Sequence, residues 1–113
     1  MNFLTSSALL DSVVLSILNK SDSYGYILTQ NVTKTLEVSE STLYPALRRL
    51  QKSGDLETYD QTENGRNRRY YKITASGKAK LNDYLAAWKD AKEKLDSIFV
   101  GTQTKTKERG GQK

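Results

Sequence analysis

The patterning of this chain predicts a mainly α protein with a small β-hairpin wing: a winged helix-turn-helix followed by a long C-terminal dimerisation helix. Three observations carry that expectation. The segment from Ser39 to Leu50 has the spacing of a helix with one apolar and one basic face. The later run Arg66-Asn67-Arg68-Arg69-Tyr70-Tyr71-Lys72-Ile73-Thr74 alternates as a strand does, and begins in a cluster of arginines. The last third of the chain repeats apolar residues in steps of four and three, as a helix seam requires.

In chain order, Phe3, Leu4, Ala8, Leu9, Val13, Val14, Ile17 and Leu18 recur at helical spacing. Asn19-Lys20-Ser21-Asp22 ends that helix. A second helix is expected from Ser23, with Tyr24, Ile27, Leu28, Val32 and Leu36 on its apolar face and Gly25 in its first turn. Glu37-Val38 is a short connector or a minimal strand.

Ser39 or Ser41 can cap the third helix, because a serine hydroxyl accepts a free amide two or three residues on. Successive helical residues turn by about 100°. Leu43, Ala46, Leu47 and Leu50 therefore share one face, and Ser41, Pro45, Arg48 and Lys52 lie opposite, flanked by Thr42, Tyr44 and Arg49. Pro45 removes one helical hydrogen bond and disfavours helical geometry at Tyr44, so the helix either starts late or bends. Gly54 suits a left-handed C-terminal cap.

Leu56-Glu57-Thr58-Tyr59 alternates as a half-buried strand, and Asp60 to Gly65 is a polar turn with an Asn-Gly hairpin signal. In the strand that follows, Arg69, Tyr71 and Ile73 share one face, and Arg68, Tyr70, Lys72 and Thr74 the other. Thr74 can cap the final helix, whose seam is Leu81, Leu85, Trp88, Lys92, Leu95 and Phe99, widened by Tyr84, Ala91 and Ile98. From Gly101 the composition turns to Gly, Thr, Gln and Lys, which predicts a disordered tail. The expected organisation is a DNA-binding domain over residues 1–75, its first helix also contributing to the dimer, a dimerisation helix over 76–100, and the tail over 101–113.

Composition narrows the chemistry. The chain has 113 residues, enough for one modest core. It has no cysteine and no histidine, so a disulfide scaffold and thiolate or imidazole metal sites are excluded, and no metal or cofactor is expected. Ser, Asp, Glu and Lys are present, but their spacing makes no nucleophile–base constellation, and an enzyme is not the expectation. No apolar run reaches the roughly 20 residues that span a bilayer, and the N-terminus lacks a secretory pattern. A cytoplasmic location is the default. A net charge of +5 inclines the chain toward a polyanionic partner.

A helix in the major groove contacts bases from its first turns and phosphates from its flanks. Ser41 and Thr42 can bond either; Tyr44 has the reach for a phosphate; Arg48 can pair bidentately with guanine or hold a phosphate, and Arg49 lies beside it. The bland alternative is that the serines merely cap and the two arginines form a solvated face. Arg66, Arg68 and Arg69 crowd positive charge beside a turn, at a cost in self-repulsion that a nucleic-acid backbone relieves. Charged residues also blunt sheet edges against aggregation, although one lysine usually suffices. Trp88 either fills a dimer interface or, from two subunits, stacks on a flat ligand. Lys92 sets register in the seam or extends its amine to solvent.

With these residues in place the chain resembles the PadR family of bacterial transcriptional regulators, in its short form with a single C-terminal helix. The resemblance runs from Leu9 to Phe99. It rests on Leu10 to Leu18, Tyr24-Gly25-Tyr26, Thr42-Leu43-Tyr44-Pro45-Ala46-Leu47-Arg48-Arg49-Leu50, Gly54, and Arg69-Tyr70-Tyr71-Lys72-Ile73-Thr74 with Gly77. It implies a dimeric winged-helix repressor. The family's recognition-helix tyrosine and basic wing residues carry over onto Tyr44, Arg66, Arg68 and Arg69. Multidrug-responsive members stack planar compounds on an interface tryptophan, and Trp88 falls at the matching place.

The expected partners are double-stranded DNA with a roughly palindromic operator, a second copy of the chain and a planar small-molecule effector, with no membrane. Two recognition helices would then reach half-sites ~34 Å apart. The competing expectation is a winged-helix protein-interaction module whose basic wing meets an acidic protein surface. RNA is a poorer fit, because the A-form major groove is too narrow for the helix.

Overall fold

The computed structural model describes residues 6–107, with side chains to residue 100. Seven elements follow one another: α1 (Ser7–Lys20), β1 (Ser23–Tyr24), α2 (Gly25–Leu36), α3 (Glu40–Lys52), β2 (Leu56–Glu63), β3 (Arg66–Ile73) and α4 (Ala75–Lys107). The chain divides into two compact units, the first ending at Asn82 and the second beginning at Asp83.

Ser6 caps α1 by accepting the Leu9 amide at 3.3 Å. The helix buries Leu10, Val14, Leu15 and Leu18, with Asp11 among them. Leu9, Val13 and Ile17, which share the apolar helical spacing, are only half-buried. A helix apolar on most sides cannot declare its inner face; the partners choose it. Phe3 and Leu4 lie outside the described residues.

The second helix starts at Gly25 rather than Ser23, because Ser23 and Tyr24 form a short strand opposite Tyr71 and Tyr70. Glu37-Val38 is the short connector between α2 and α3, not a minimal strand. Glu37 is instead a left-handed cap (φ 57°) that closes α2, and Val38 is buried. The wing is therefore a three-stranded antiparallel sheet in the order β1-β3-β2.

Ser39, not Ser41, caps α3, accepting the Thr42 amide at 3.2 Å. The helix starts at Glu40, before Pro45, and runs through it. The missing proline N–H falls on the exposed face, where water can satisfy the orphaned carbonyl. Leu43, Ala46, Leu47 and Leu50 are all buried, and the last turn closes on Gly54 at φ +84° with Asp55 N–H donating to Leu50 C=O at 2.9 Å.

β2 continues to Glu63, past the polar turn expected from Asp60, and only Asn64-Gly65 turns. Both have positive φ (51° and 76°), the type I′ geometry that matches strand twist. Leu56 pairs with Ile73 and Glu63 with Arg66, so the hairpin is in full register. At its base Leu56 and Ile73 join the core.

Thr74 caps α4, its Oγ1 accepting the Gly77 amide at 3.1 Å and donating to Gly54 C=O at 2.7 Å. Gly77 cannot be larger: a Cβ there would lie 2.3 Å from Asp55 O and 2.8 Å from Ile73 Cγ1. Asp55 is buried and receives Ser53 and Ser76 hydroxyls at 2.6 Å each and the Lys80 ammonium at 2.6 Å. Burial alone would push its pKa up, but those hydrogen bonds and the Lys80 charge outweigh burial and hold it below the ordinary carboxylate value.

These contacts tie the first turns of α4 into the first compact unit, which ends at Asn82. Leu81, expected in the dimer seam, is 3% exposed in the single chain and belongs to the protomer's own core. In the second unit, α4 continues to Lys107, past the Gly101 boundary where a disordered tail was expected. Thr, Gln and Lys oppose a helix too weakly to end one already propagating. Residues 108–113 of that tail lie outside the described residues.

Candidate nucleic-acid interface

The polar face of α3 comes first. Ser41, Tyr44 and Arg48 are exposed and Thr42 is half-buried. Ser39 Oγ stands 3.0 Å from both Ser41 Oγ and Thr42 Oγ1, so the three hydroxyls form one cluster at the helix start. Arg48 has no ion-pair partner among the described residues and projects into solvent.

Arg49 behaves differently. Its Nη2 meets Asp11 Oδ1 of α1 at 2.5 Å. The Asp11 side chain is only 8% exposed and that of Arg49 44%. A carboxylate on the buried stripe of α1 needs a cation, and Arg49 supplies it from the adjacent helix. The pair fixes α3 on α1 and engages the guanidinium of Arg49, a residue expected among the DNA contacts.

The wing arginines also divide. Arg66, beside the turn, is exposed with no ion-pair partner among the described residues. Arg68 lies 4.3 Å from the ring centroid of Tyr24, with Nε 3.5 Å from Glu63 Oε1. Arg69, on the opposite face of β3, is exposed and approaches Asp60 at 3.4 Å. Tyr59 and Tyr70 stack at 5.4 Å, Tyr70 meets Tyr24 edge-on at 5.6 Å, and Tyr59 donates to Asp22 at 2.6 Å. The hydrogen bond to Asp22 stabilises the neutral phenol and pushes the Tyr59 pKa up to about 12. Tyr70 donates to Glu63 at 2.9 Å and is raised for the same reason. Both stay neutral at physiological pH.

Between α3, the start of α2 and the wing lies a cleft of about 380 Å³, bordered by Tyr24, Tyr26, Tyr44, Tyr71, Arg68 and Arg69. It brings Tyr44, Arg68 and Arg69 together; Arg48, Arg49 and Arg66 are not in its lining. Sequence reasoning missed Tyr26 and Tyr71 as site residues. The signal was present in the Tyr24-Gly25-Tyr26 triplet, but an aromatic at helical spacing reads equally well as core.

In the second unit Leu85, Trp88, Leu95 and Phe99 are exposed, Trp88 by 50%. Lys92 pairs with Asp96 of its own helix at 2.9 Å, which raises its pKa, and so keeps its charge within the stripe. Among the described residues no helix is long and apolar enough to cross a membrane.

A helical triad carrying a three-stranded wing, with an exposed polar recognition face and basic residues on the wing, defines a winged helix-turn-helix DNA-binding protein. Comparison with known proteins narrows the class. The model of the PadR-like family of transcriptional regulators matches residues 14–83. The chain is 36% identical over 84 residues to transcriptional regulator Rv3488 of Mycobacterium tuberculosis, covering 74% of this chain and 75% of that one. Among solved structures, smu.1704 of Streptococcus mutans superposes with a TM-score of 0.80 at 40% identity, covering 89% of this chain and 95% of that one. A PadR family transcription regulator of Clostridium difficile gives 0.71 at 32% identity, over 80% and 97%. The chain belongs to the PadR-like family of transcriptional regulators, DNA-binding proteins rather than enzymes.

Proposed function

We propose that this regulator binds a specific, roughly palindromic duplex operator as a homodimer and represses by occluding it. The supporting observation is that one compact unit carries both the exposed Ser41–Tyr44–Arg48 face of α3 and the arginine-bearing wing, with Tyr44, Arg68 and Arg69 meeting in one cleft. Ser41, Thr42 and Arg48 read base edges or adjoining phosphates; Tyr44, Arg66 and Arg69 hold the backbone. The exposed stripe Leu85, Trp88, Leu95 and Phe99 is too apolar for a lone helix in water and supports a second copy as its cover. A planar effector stacking on Trp88 would regulate the dimer only by binding two of its states unequally. A chromosomal operator places the protein in the cytoplasm.

Fluorescence anisotropy against DNA from upstream of its own gene, and against scrambled DNA of equal length, tests this reading. Specific binding ~10³-fold tighter than to scrambled DNA is expected. Absence of binding to either duplex at low salt would overturn it and favour an acidic protein partner for the wing.

A further inference from the structure

Arg68 and Arg69 are adjacent in sequence and opposite in environment. The Arg68 side chain is 27% exposed, lies over the Tyr24 ring and faces Glu63. Tyr24 is itself fixed by Tyr70, Tyr70 by Tyr59, and Tyr59 by Asp22. The Arg68 charge is thus already compensated, and moving it would break a stack that joins all three strands. Arg69 is 64% exposed, and its 3.4 Å contact to a half-exposed Asp60 is a surface pair of little worth. It exchanges that partner for a phosphate at small cost.

The cleft beside Arg69 has the matching chemistry. Among the described residues no carboxylate lines it. Among the described residues, neither Tyr26 nor Tyr44 spends its hydroxyl on a protein partner. β1 pairs only with Tyr70 and Tyr71, so the β3 edge at residues 66–69 is open on this side. A guanidinium and two phenols around this recess favour a phosphodiester oxygen, which accepts charge-assisted hydrogen bonds.

We propose that this cleft seats one sugar-phosphate unit of duplex DNA, held by Arg69 with the Tyr26 and Tyr44 hydroxyls, while Arg68 is a positioning residue that sets the wing angle. The proposal rests on the DNA-binding reading and deepens it. It adds Tyr26, from outside both recognition helix and wing, to the contact surface, and removes Arg68 from the charges that neutralise the backbone.

Salt dependence separates these roles, because each neutralised phosphate contributes ~0.9 to the slope of log K against log salt. Wild type and Arg69→Gln, Arg68→Gln and Tyr26→Phe variants are titrated with operator and scrambled duplex at several salt concentrations, at a temperature where melting curves show all four folded. Arg69→Gln should flatten the slope by ~0.9 per bound protomer. Arg68→Gln should weaken binding about fivefold, on the scale of one net contact, and leave the slope unchanged. Tyr26→Phe should weaken operator and scrambled duplex alike, again with the slope unchanged. An Arg68→Gln slope as flat as that of Arg69→Gln, an unaltered Arg69→Gln slope, or wild-type affinity in Tyr26→Phe would each overturn the seat. Wild type that binds no duplex would overturn the DNA reading beneath it; wild type that binds while the variants give the wrong slopes fails the seat alone.

Discussion

Arg48 and Arg49 are one residue apart, and the structure gives them opposite work. The informative perturbation is Arg49→Gln, read against Arg48→Ala. Removing Arg49 leaves Asp11, 8% exposed, without its guanidinium 2.5 Å away. Stripping one partner from a fully buried pair costs ~3–5 kcal/mol. Arg49 is 44% exposed, so water softens the loss, and about 2 kcal/mol is the reasonable scale. In a domain of this size that lowers Tm by ~8–16 °C. Arg48 has no ion-pair partner among the described residues, and Arg48→Ala should stay within ~0.5 kcal/mol of wild type. It should instead weaken operator binding more than scrambled binding. Differential scanning calorimetry gives the first quantity and anisotropy the second. A double-mutant cycle with Asp11→Asn isolates the coupling, because that variant removes the charge and keeps the shape. An Arg49→Gln protein that melts with wild type and loses operator affinity as Arg48→Ala does would refute the division, and return Arg49 to the DNA surface.

Three further outcomes follow from the packing. Gly77→Ala forces a Cβ to 2.3 Å from Asp55 O, which is backbone and cannot swing aside; a loss of ~3 kcal/mol or more is expected in chemical denaturation. Leu81→Ala should cost ~2–4 kcal/mol at any protein concentration, since it empties the protomer core, whereas Leu85→Ala should lower stability only through dimer dissociation, seen as a concentration-dependent Tm and a smaller mass by light scattering. Asp55 has its folded pKa below the ordinary value of 3.8, so its contribution is fully present above that value and disappears as pH falls through the folded pKa. Acid titration should therefore show a stability drop below pH ~4 that is absent in Asp55→Asn, and an identical acid limb in both would refute it.

Much of the fold that frames the candidate interface was legible because its signals are local. The apolar face of α3 needs only a 100° step and four residues, Leu43, Ala46, Leu47 and Leu50, and all four are buried. Asn64-Gly65 announces a type I′ turn through its own backbone preferences, and Thr74 and Gly54 declare caps in the same way. What failed was long-range. The strand at Ser23-Tyr24 has no period of its own and exists only because β3 lies beside it. Leu81 keeps the helical spacing of the seam, but spacing cannot say which of two surfaces a residue meets.

By itself the sequence determined the helix-helix-helix-hairpin-helix order, the amphipathic recognition helix, the two-residue turn and the concentration of positive charge at the wing. Each follows from preferences spanning a few residues, which no distant partner overrides. The tertiary structure alone decided how equal residues divide their labour. Arg48 is exposed and Arg49 is paired with Asp11; Arg69 is exposed and Arg68 is stacked on Tyr24. A side chain's charge follows from its type, but its availability depends on how deeply its carboxylate or ring partner is buried, and burial is set by the fold around it.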